Sequence, residues 1–303
     1  MKILMVANAD KGHKRYSLGN VTLLAKAQVE NTLECGWKPG DIVIISNFDF
    51  GFMGVEAIRA PLNDFCLTGS KMFGVHHWFF EMGMRETIWA KDMDLWANVH
   101  FDEPEFKDVG ISRYSKDIYN GGSVFWKWEG RDIANEIVSA MDSGKAKKEE
   151  PVLNRMLRSG LFRDRVTTLN ETYNLGCSGF LVRYERAEKP IRGCHFHPYN
   201  TIAWSTFALD RNQEGFVPIT IRLERLFRRY WPSLATRMDP ETIEIKKLQK
   251  AERDLKLKKK EKNRIEILDE TDTGMIPASI KEYNESLLDD PDFADNEPFT
   301  RHG

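Results

Sequence analysis

An α/β fold built around a parallel sheet is what this sequence predicts, and three observations predict it. Ile3-Leu-Met-Val-Ala7 is a short apolar run, and Asp41-Ile-Val-Ile-Ile-Ser46 is a second one. Strands apolar on both faces belong in a sheet that is covered on both sides, as parallel sheets are. Between them, Val21 to Cys35 reads as a helix with Gly36 as its stop, so strand, helix and strand follow in the order of a βαβ unit.

The remaining elements follow in chain order. The loop Asn8-Ala-Asp-Lys-Gly-His-Lys-Arg-Tyr-Ser-Leu-Gly-Asn20 separates the first strand from the first helix. A helix is expected over Lys71 to Met82, and Glu86-Thr-Ile-Trp-Ala90 is then a third strand that feeds Asp92. Tyr119-Asn-Gly-Gly122 reads as a turn into a further strand through Trp128. Glu150 to Gly160 is a short helix closed by its glycine. Gly176-Cys-Ser-Gly-Phe-Leu-Val-Arg-Tyr184 is expected as a strand, and Ile191 to Trp204 as a strand or loop that enters a helix. Residues 241–264 are Lys-rich and helix-prone, and the last forty are acidic and punctuated by proline with little to bury. No internal repeats are visible.

The bulk numbers bound the function. The chain has 303 residues, enough for one large domain or two modest ones with a sizeable core. Its net charge of −2 names no partner by itself. The charge is nevertheless segregated. Arg222 to Arg264 holds 15 Lys/Arg against 7 Asp/Glu, and Ile265 to Gly303 holds 2 against 11. The opening apolar run is too short for a signal peptide and no stretch approaches a membrane span, so a cytoplasmic protein without membrane contact is expected. Cys35, Cys66, Cys177 and Cys194 form no C-x-x-C pair, which argues for reduced thiols rather than a disulfide framework or a zinc site.

Chemistry first shows at Asp92 and Asp94, one residue apart after the third strand. On a regular strand both carboxylates would face the same side, where they repel unless a cation lies between them. Alone, such a pair is common on surfaces. Here it falls just past a strand's carboxyl end, where open α/β sheets bind ligands. About a hundred residues later come His195 and His197, either of which can complete a carboxylate-based metal site; each alone is more ordinarily a capped or solvent-facing residue. The glycines of Tyr119-Asn120-Gly-Gly allow close backbone approach to a ligand or simply a turn. The pair Glu149-Glu150 opens a helix, where carboxylates also complement the helix dipole. His76-His77 with Glu81 lacks the H-E-x-x-H spacing of a metalloprotease, and the first strand lacks the G-x-G-x-x-G of a dinucleotide-binding enzyme.

The order of these motifs resembles a family. Asp92-Met-Asp94, Asn120-Gly-Gly122, the acidic pair before Leu153-Asn154, Leu169-Asn-Glu-Thr-Tyr173-Asn174 and His195-Phe-His197 are similar to signatures of the glycogenin-type and lipopolysaccharide-galactosyltransferase-type enzymes. These are retaining glycosyltransferases of the GT-A fold. The likeness spans roughly residues 1 to 205. Lys91 stands where that family usually has an apolar residue, Glu149 and Glu150 replace Asp and Gln, and Pro198 replaces a glycine. The chain also resembles uncharacterised sugar transferases of large tailed phages.

The resemblance implies a Rossmann-like mixed sheet flanked by helices, taken as residues 1–220, and the charge pattern adds a basic helical extension over 221–264 and an acidic, loosely ordered tail over 265–303. It implies metal-dependent transfer of a sugar from a nucleotide-diphosphate donor, with a UDP-sugar expected and Mn2+ or Mg2+ as the ion. Asp92, Asp94 and His195, with His197 beside it, would hold the ion, Asp94 most directly; Asp92 would be shared with the ribose. Ala7 and Asn8 would face the base and Lys71 the phosphates. Asn120, Asn174 and Glu149 would hold the donor. Glu150 would sit nearest the anomeric carbon, as nucleophile, stabiliser or binder. For the acceptor, Arg222, Arg225, Arg228 and Arg229 with Phe227, Tyr230 and Trp231 suit a nucleic-acid backbone with stacked bases. Taken together with the resemblance to phage sugar transferases, that favours a hydroxymethylated base in DNA over a glycan, lipid or protein. The alternatives are a solvated helix paired with the acidic tail, or a non-catalytic nucleic-acid-binding protein.

Overall fold

The computed structural model describes residues 1–13, 16–62, 69–115, 118–143, 148–176, 180–195 and 217–230. All belong to the first of two units into which the chain divides, Met1–Asp239; the second, Pro240–Gly303, lies outside the described residues. So do Trp231, the Lys-rich stretch and the acidic tail.

The sheet expected from the sequence is present and is mixed rather than wholly parallel. It is flanked by helices on both faces. Strands β1 (Lys2–Ala7), β2 (Ile42–Ser46), β3 (Gly51–Phe52), β4 (Val55–Arg59), β5 (Ile88–Lys91), β7 (Val109–Ser115), β8 (Ile118–Trp126) and β9 (Val166–Leu169) form one sheet in the order 3-4-2-1-5-8-7-9. β1, β2, β4 and β5 run parallel, whereas β8 is antiparallel to both β5 and β7. Three short strands, β6 (Leu95–Ala97), β10 (Leu175–Gly176) and β11 (Gly193–His195), make a second sheet in the order 10-11-6.

Helix α1 (Leu18–Glu34) covers one face of the large sheet, where Val21, Ala25 and Val29 meet Ile3, Met5, Ala7, Ile42 and Ile44. Helices α2 (Ser70–His76), α3 (Arg131–Asp142) and α4 (Glu149–Arg158) supply the other face, where Leu4, Val6, Val43 and Ile45 pack with Met72, Val75, Ile133, Ile137, Val152 and Leu153. Alternate residues of β1 and β2 thus feed opposite cores, which is why these strands are apolar at nearly every position. At about 25 cal/mol per Å2, each buried aliphatic side chain contributes about 1.5–3 kcal/mol before ordering costs. Gly36, at φ +101°, ends α1 as expected and donates to Leu33 O at 2.9 Å.

The chain leaves β1 through α1 to β2 on one side, and later returns to β5 on the other. The carboxyl ends of β1 and β5 therefore flank the point where the strand order reverses, the usual ligand crevice of an open α/β sheet.

Several expectations are corrected. Tyr119–Gly122 is not a turn but lies within β8. Gly176–Tyr184 is not one strand: Gly176 ends β10, and Phe180–Arg186 is helix α5. α3 went unrecognised in the sequence, although its apolar positions Ile133, Ala134, Ile137, Val138 and Met141 keep helical spacing and are buried. The expected helix from Lys71 runs as α2 and continues as a π-helical turn, His77–Glu81. A last described helix, α6 (Val217–Tyr230), packs on α1.

Candidate metal and donor site

Asp92, Asp94 and His195 come together at the edge of the crevice. Each offers a ligand atom, and these atoms lie within 4.8 Å of one another. The two aspartates converge for a reason other than strand pleating. β5 ends at Lys91, and Asp92 to Asp94 is a turn closed by Leu95 N donating to Asp92 O at 3.0 Å. The turn leads into β6, and β6 pairs antiparallel with β11 so that Leu95 faces His195. This pairing brings the distant histidine to the aspartates: His195 Nε2 is 3.2 Å from Asp94 Oδ1 and 3.8 Å from Asp92 Oδ2.

The imidazole is held from behind. Its Nδ1 is 3.1 Å from Asn174 Oδ1, and Asn174 Nδ2 donates to Asn120 Oδ1 at 2.7 Å. Asn120 Oδ1 also accepts from Gly122 N at 3.0 Å. With Asn174 oriented by Asn120, the network assigns the proton to Nδ1 and leaves Nε2 facing the carboxylates. Arg183, buried, donates to Asn174 O at 2.7 Å and anchors the same corner. A Cβ on Gly122 would overlap the His195 ring. The second glycine of Asn-Gly-Gly thus makes room for the histidine.

A second group adjoins the first. Lys71, 4% exposed, donates to Asp92 Oδ1 at 2.5 Å and to Gly121 O, and lies 3.2 Å from Glu149 Oε1. Burial opposes the lysine's charge, but Asp92 and Glu149 outweigh it and hold its pKa above the ordinary range. Burial pushes Glu149 upward, opposed by Lys71. Glu150 also rises through burial, opposed by the hydrogen bond its Oε2 accepts from Gly121 N at 3.0 Å. For His195, burial lowers the pKa, yet Asp94 and Asp92 raise it to a net value above the usual histidine range. Asn154 stitches α4 to β8, accepting from Tyr119 N at 2.8 Å and donating to Tyr119 O at 2.9 Å. That sets where Glu149 and Glu150 stand.

At the end of β1, Asn8 is 5% exposed, and both polar atoms of its carboxamide lack a hydrogen-bond partner among the described residues. A buried amide left so costs about 1–3 kcal/mol, and such a group calls for an explanation. Ala7 closes β1 beside it, paired with Ser46. His197 lies outside the described residues, so of the two histidines only His195 is placed.

Two carboxylates and an imidazole with its Nε2 turned inward fit a divalent ion that accepts hard oxygen and borderline nitrogen, such as Mn2+ or Mg2+. Gln28 and Arg183 carry no motif that marks them in the sequence. Lys91 is visible there as a basic residue ending an apolar run, where the resembled family usually has an apolar one.

The arginines assigned to nucleic acid are placed differently. In α6, Arg222 donates to Asn98 O at 3.0 Å and to Cys35 Sγ at 2.5 Å. Arg225 pairs with Glu34, Arg229 with Glu30, and Arg228 with Glu224 at 2.7 Å. Phe227 is fully buried, edge-on to Trp96, and Tyr230 Oη donates to Glu30 at 2.5 Å. The arginines of α6 are thus matched to Glu30 and Glu34 of α1 and to Glu224 of α6 itself, and the expected pairing with the acidic tail lies outside the described residues.

No family model matches the chain, and no curated protein matches it. Among solved structures it is similar to a glycosyltransferase involved in the glycosylation of the major capsid of PBCV-1, at 10% identity over 69% of this chain and 99% of that one, with a TM-score of 0.44. It is similar to the galactosyltransferase LgtC in complex with donor and acceptor sugar analogs, at 12% identity over 75% and 95%, with a TM-score of 0.45. GlyE of Streptococcus pneumoniae TIGR4 is similar at 12% identity over 75% and 64%, with a TM-score of 0.43. With each TM-score below 0.5, what the site can do rests on its own residues.

Proposed function

We propose that the chain is a metal-dependent glycosyltransferase that uses a nucleotide-diphosphate sugar, with a UDP-sugar as donor. One observation carries the reading. Residues from five separate stretches (Asp92 and Asp94, Asn120, Glu149 and Glu150, Asn174, His195) meet in one hydrogen-bonded cluster at a sheet's switch point. They are the residues whose order resembles the GT-A enzymes.

Asp92, Asp94 and His195 would hold Mn2+ or Mg2+, which when bound neutralises the diphosphate as it leaves. The chain's own groups do the rest. Asn8 offers a donor and an acceptor to a nucleobase in a place that excludes water. Lys71, buried with its ammonium on Asp92, Gly121 O and Glu149, orients those two carboxylates and sets a fixed positive charge beneath the place where the diphosphate would lie. Asn120 and Glu149 orient the sugar's hydroxyls. Glu150, kept in place by Gly121 N–H, presents a carboxylate to the positive charge that develops at the anomeric carbon. A DNA acceptor would be met by residues 231–264, since the described arginines of the basic segment are engaged by the chain's own carboxylates.

The test is a thermal-shift panel of nucleotide sugars with and without Mn2+, since a ligand that binds the native state alone raises Tm. A UDP-sugar is expected to raise Tm only when metal is present, and Asp94→Ala should abolish the shift while the fold persists. An equal shift after chelation removes the metal-bridged reading.

A further inference from the structure

Beneath the Asp92–Asp94 turn lies a buried polar seam that the proposed chemistry does not use. Gln28 and Asn31 of α1 are fully buried, and so is Lys91 at the end of β5. Gln28 Nε2 donates to Met93 O at 2.7 Å and to Leu95 O at 3.1 Å. Lys91 Nζ donates to Gln28 Oε1 at 2.5 Å and to Leu95 O at 2.8 Å. Asn31 continues the row by donating to Ala97 O at 3.0 Å. The carbonyls on either side of Asp94 are thus gripped from α1, and Leu95 is the residue that pairs with His195.

We propose that Gln28 and Lys91 are positioning residues of the metal site, clamping the Met93 and Leu95 carbonyls so that the Asp94 carboxylate is held against His195 Nε2. The proposal rests on reading Asp92, Asp94 and His195 as metal ligands. The plainer account is a core whose polar groups merely satisfy each other. That account leaves unexplained why an amino group stands at Lys91 at all. Stripping it of water is costly, and the acceptors it meets, Gln28 Oε1 and Leu95 O, are neutral. An apolar side chain of the same length would fill the space without that cost. What it would not do is hold a carbonyl one residue from a metal ligand. Such outer partners set ligand geometry, and their loss costs about 10–100-fold in metal affinity.

The experiment uses the full chain with Lys91→Met and Gln28→Met, and Mn2+ itself as the probe. Three quantities are read: the Mn2+ Kd by calorimetry, the Tm of the metal-free protein, and the exchange rate of the Leu95 amide by NMR. Lys91→Met is expected to keep its Tm, to raise the Mn2+ Kd roughly 10–100-fold, and to speed exchange at Leu95. Gln28→Met should raise the Kd likewise. An unchanged Kd in folded Lys91→Met overturns the proposal. So does a Lys91→Met chain that fails to fold, or one whose Tm falls while its Kd holds, because the pair is then structural. If the unaltered chain takes up no Mn2+, the metal reading is what fails. The Leu95 exchange then decides the clamp: faster exchange in Lys91→Met upholds it, and unchanged exchange overturns it.

Discussion

Gly122 shows how a single residue can carry the site. Its missing side chain is the space that the His195 ring occupies. Gly122→Ala should therefore push the ring away from Asp94 and weaken Mn2+ binding about 10–100-fold, with an overpacking cost of about 1–3 kcal/mol. Calorimetric titration checks the first effect and a chemical melt the second; full-affinity binding would show that the strand yields instead of the histidine. His195 itself makes a prediction about pH. Its pKa is raised by Asp94 and Asp92 against the lowering effect of burial, and metal must displace any proton on Nε2. As pH is lowered, Mn2+ affinity should start to fall while pH is still above the ordinary histidine value of about 6.5, and then decline about tenfold per unit of further acidification. In the metal-free protein the sign is opposite. A raised native pKa contributes stability that is fully present below about pH 6.5 and is lost as pH rises through the native value. Melts across this range, with and without metal, should show the two trends crossing.

At the scale of elements, the contact between α1 and α6 is the less expected finding. α6 turns Phe227 into the core against Trp96 and lays Arg225, Arg229 and Tyr230 on Glu34 and Glu30. Arg222 reaches past Cys35 to the Asn98 carbonyl at the end of β6. Burial and the Glu30 carboxylate push the Tyr230 phenol up to about 12, so it stays a donor throughout the neutral range. Phe227→Ala should cost about 3–5 kcal/mol, the usual loss for a fully buried ring. Glu30→Ala should lower Tm as well, because it strands the partners of a buried carboxylate. A melt of Phe227→Ala that matches the unaltered chain would mean that α6 adds nothing to the core.

For the whole molecule, the proposed sugar transfer requires an acceptor. No helix among the described residues is long and apolar enough to cross a membrane. If DNA is the acceptor, affinity should drop steeply with salt, because each neutralised phosphate releases counterions. The placement of the arginines changes what their removal should do. Arg225→Ala with Arg229→Ala is expected to lower Tm and to leave the salt slope of any DNA binding unchanged, since these side chains serve α1. Neutralising the lysines between Lys246 and Lys262 should instead flatten the slope by roughly one unit for each phosphate that no longer meets a lysine. Titrations at several salt concentrations decide it, and no DNA binding at low salt turns the search toward a glycan, lipid or protein.

Much of this could be read from the chain alone. The apolar runs at Ile3–Ala7 and Ile42–Ser46, the helix between them and its Gly36 stop are local signals, because burial on both faces and a positive φ leave their mark on adjacent residues. The acidic pair and its distant histidine were legible as residue types in order, and Asp92, Asp94 and His195 do meet. The three-dimensional arrangement alone decided how. That β8 runs antiparallel to β5, that the aspartates lie in a turn, and that Leu95 pairs with His195 are long-range matters on which local periodicity is silent. The same holds for the basic segment. A run of arginines has one appearance in sequence whether it faces phosphate or the chain's own carboxylates. Only the packing of α6 on α1 showed that Arg225 and Arg229 are matched to Glu34 and Glu30, while Arg228 meets Glu224 one turn back in its own helix.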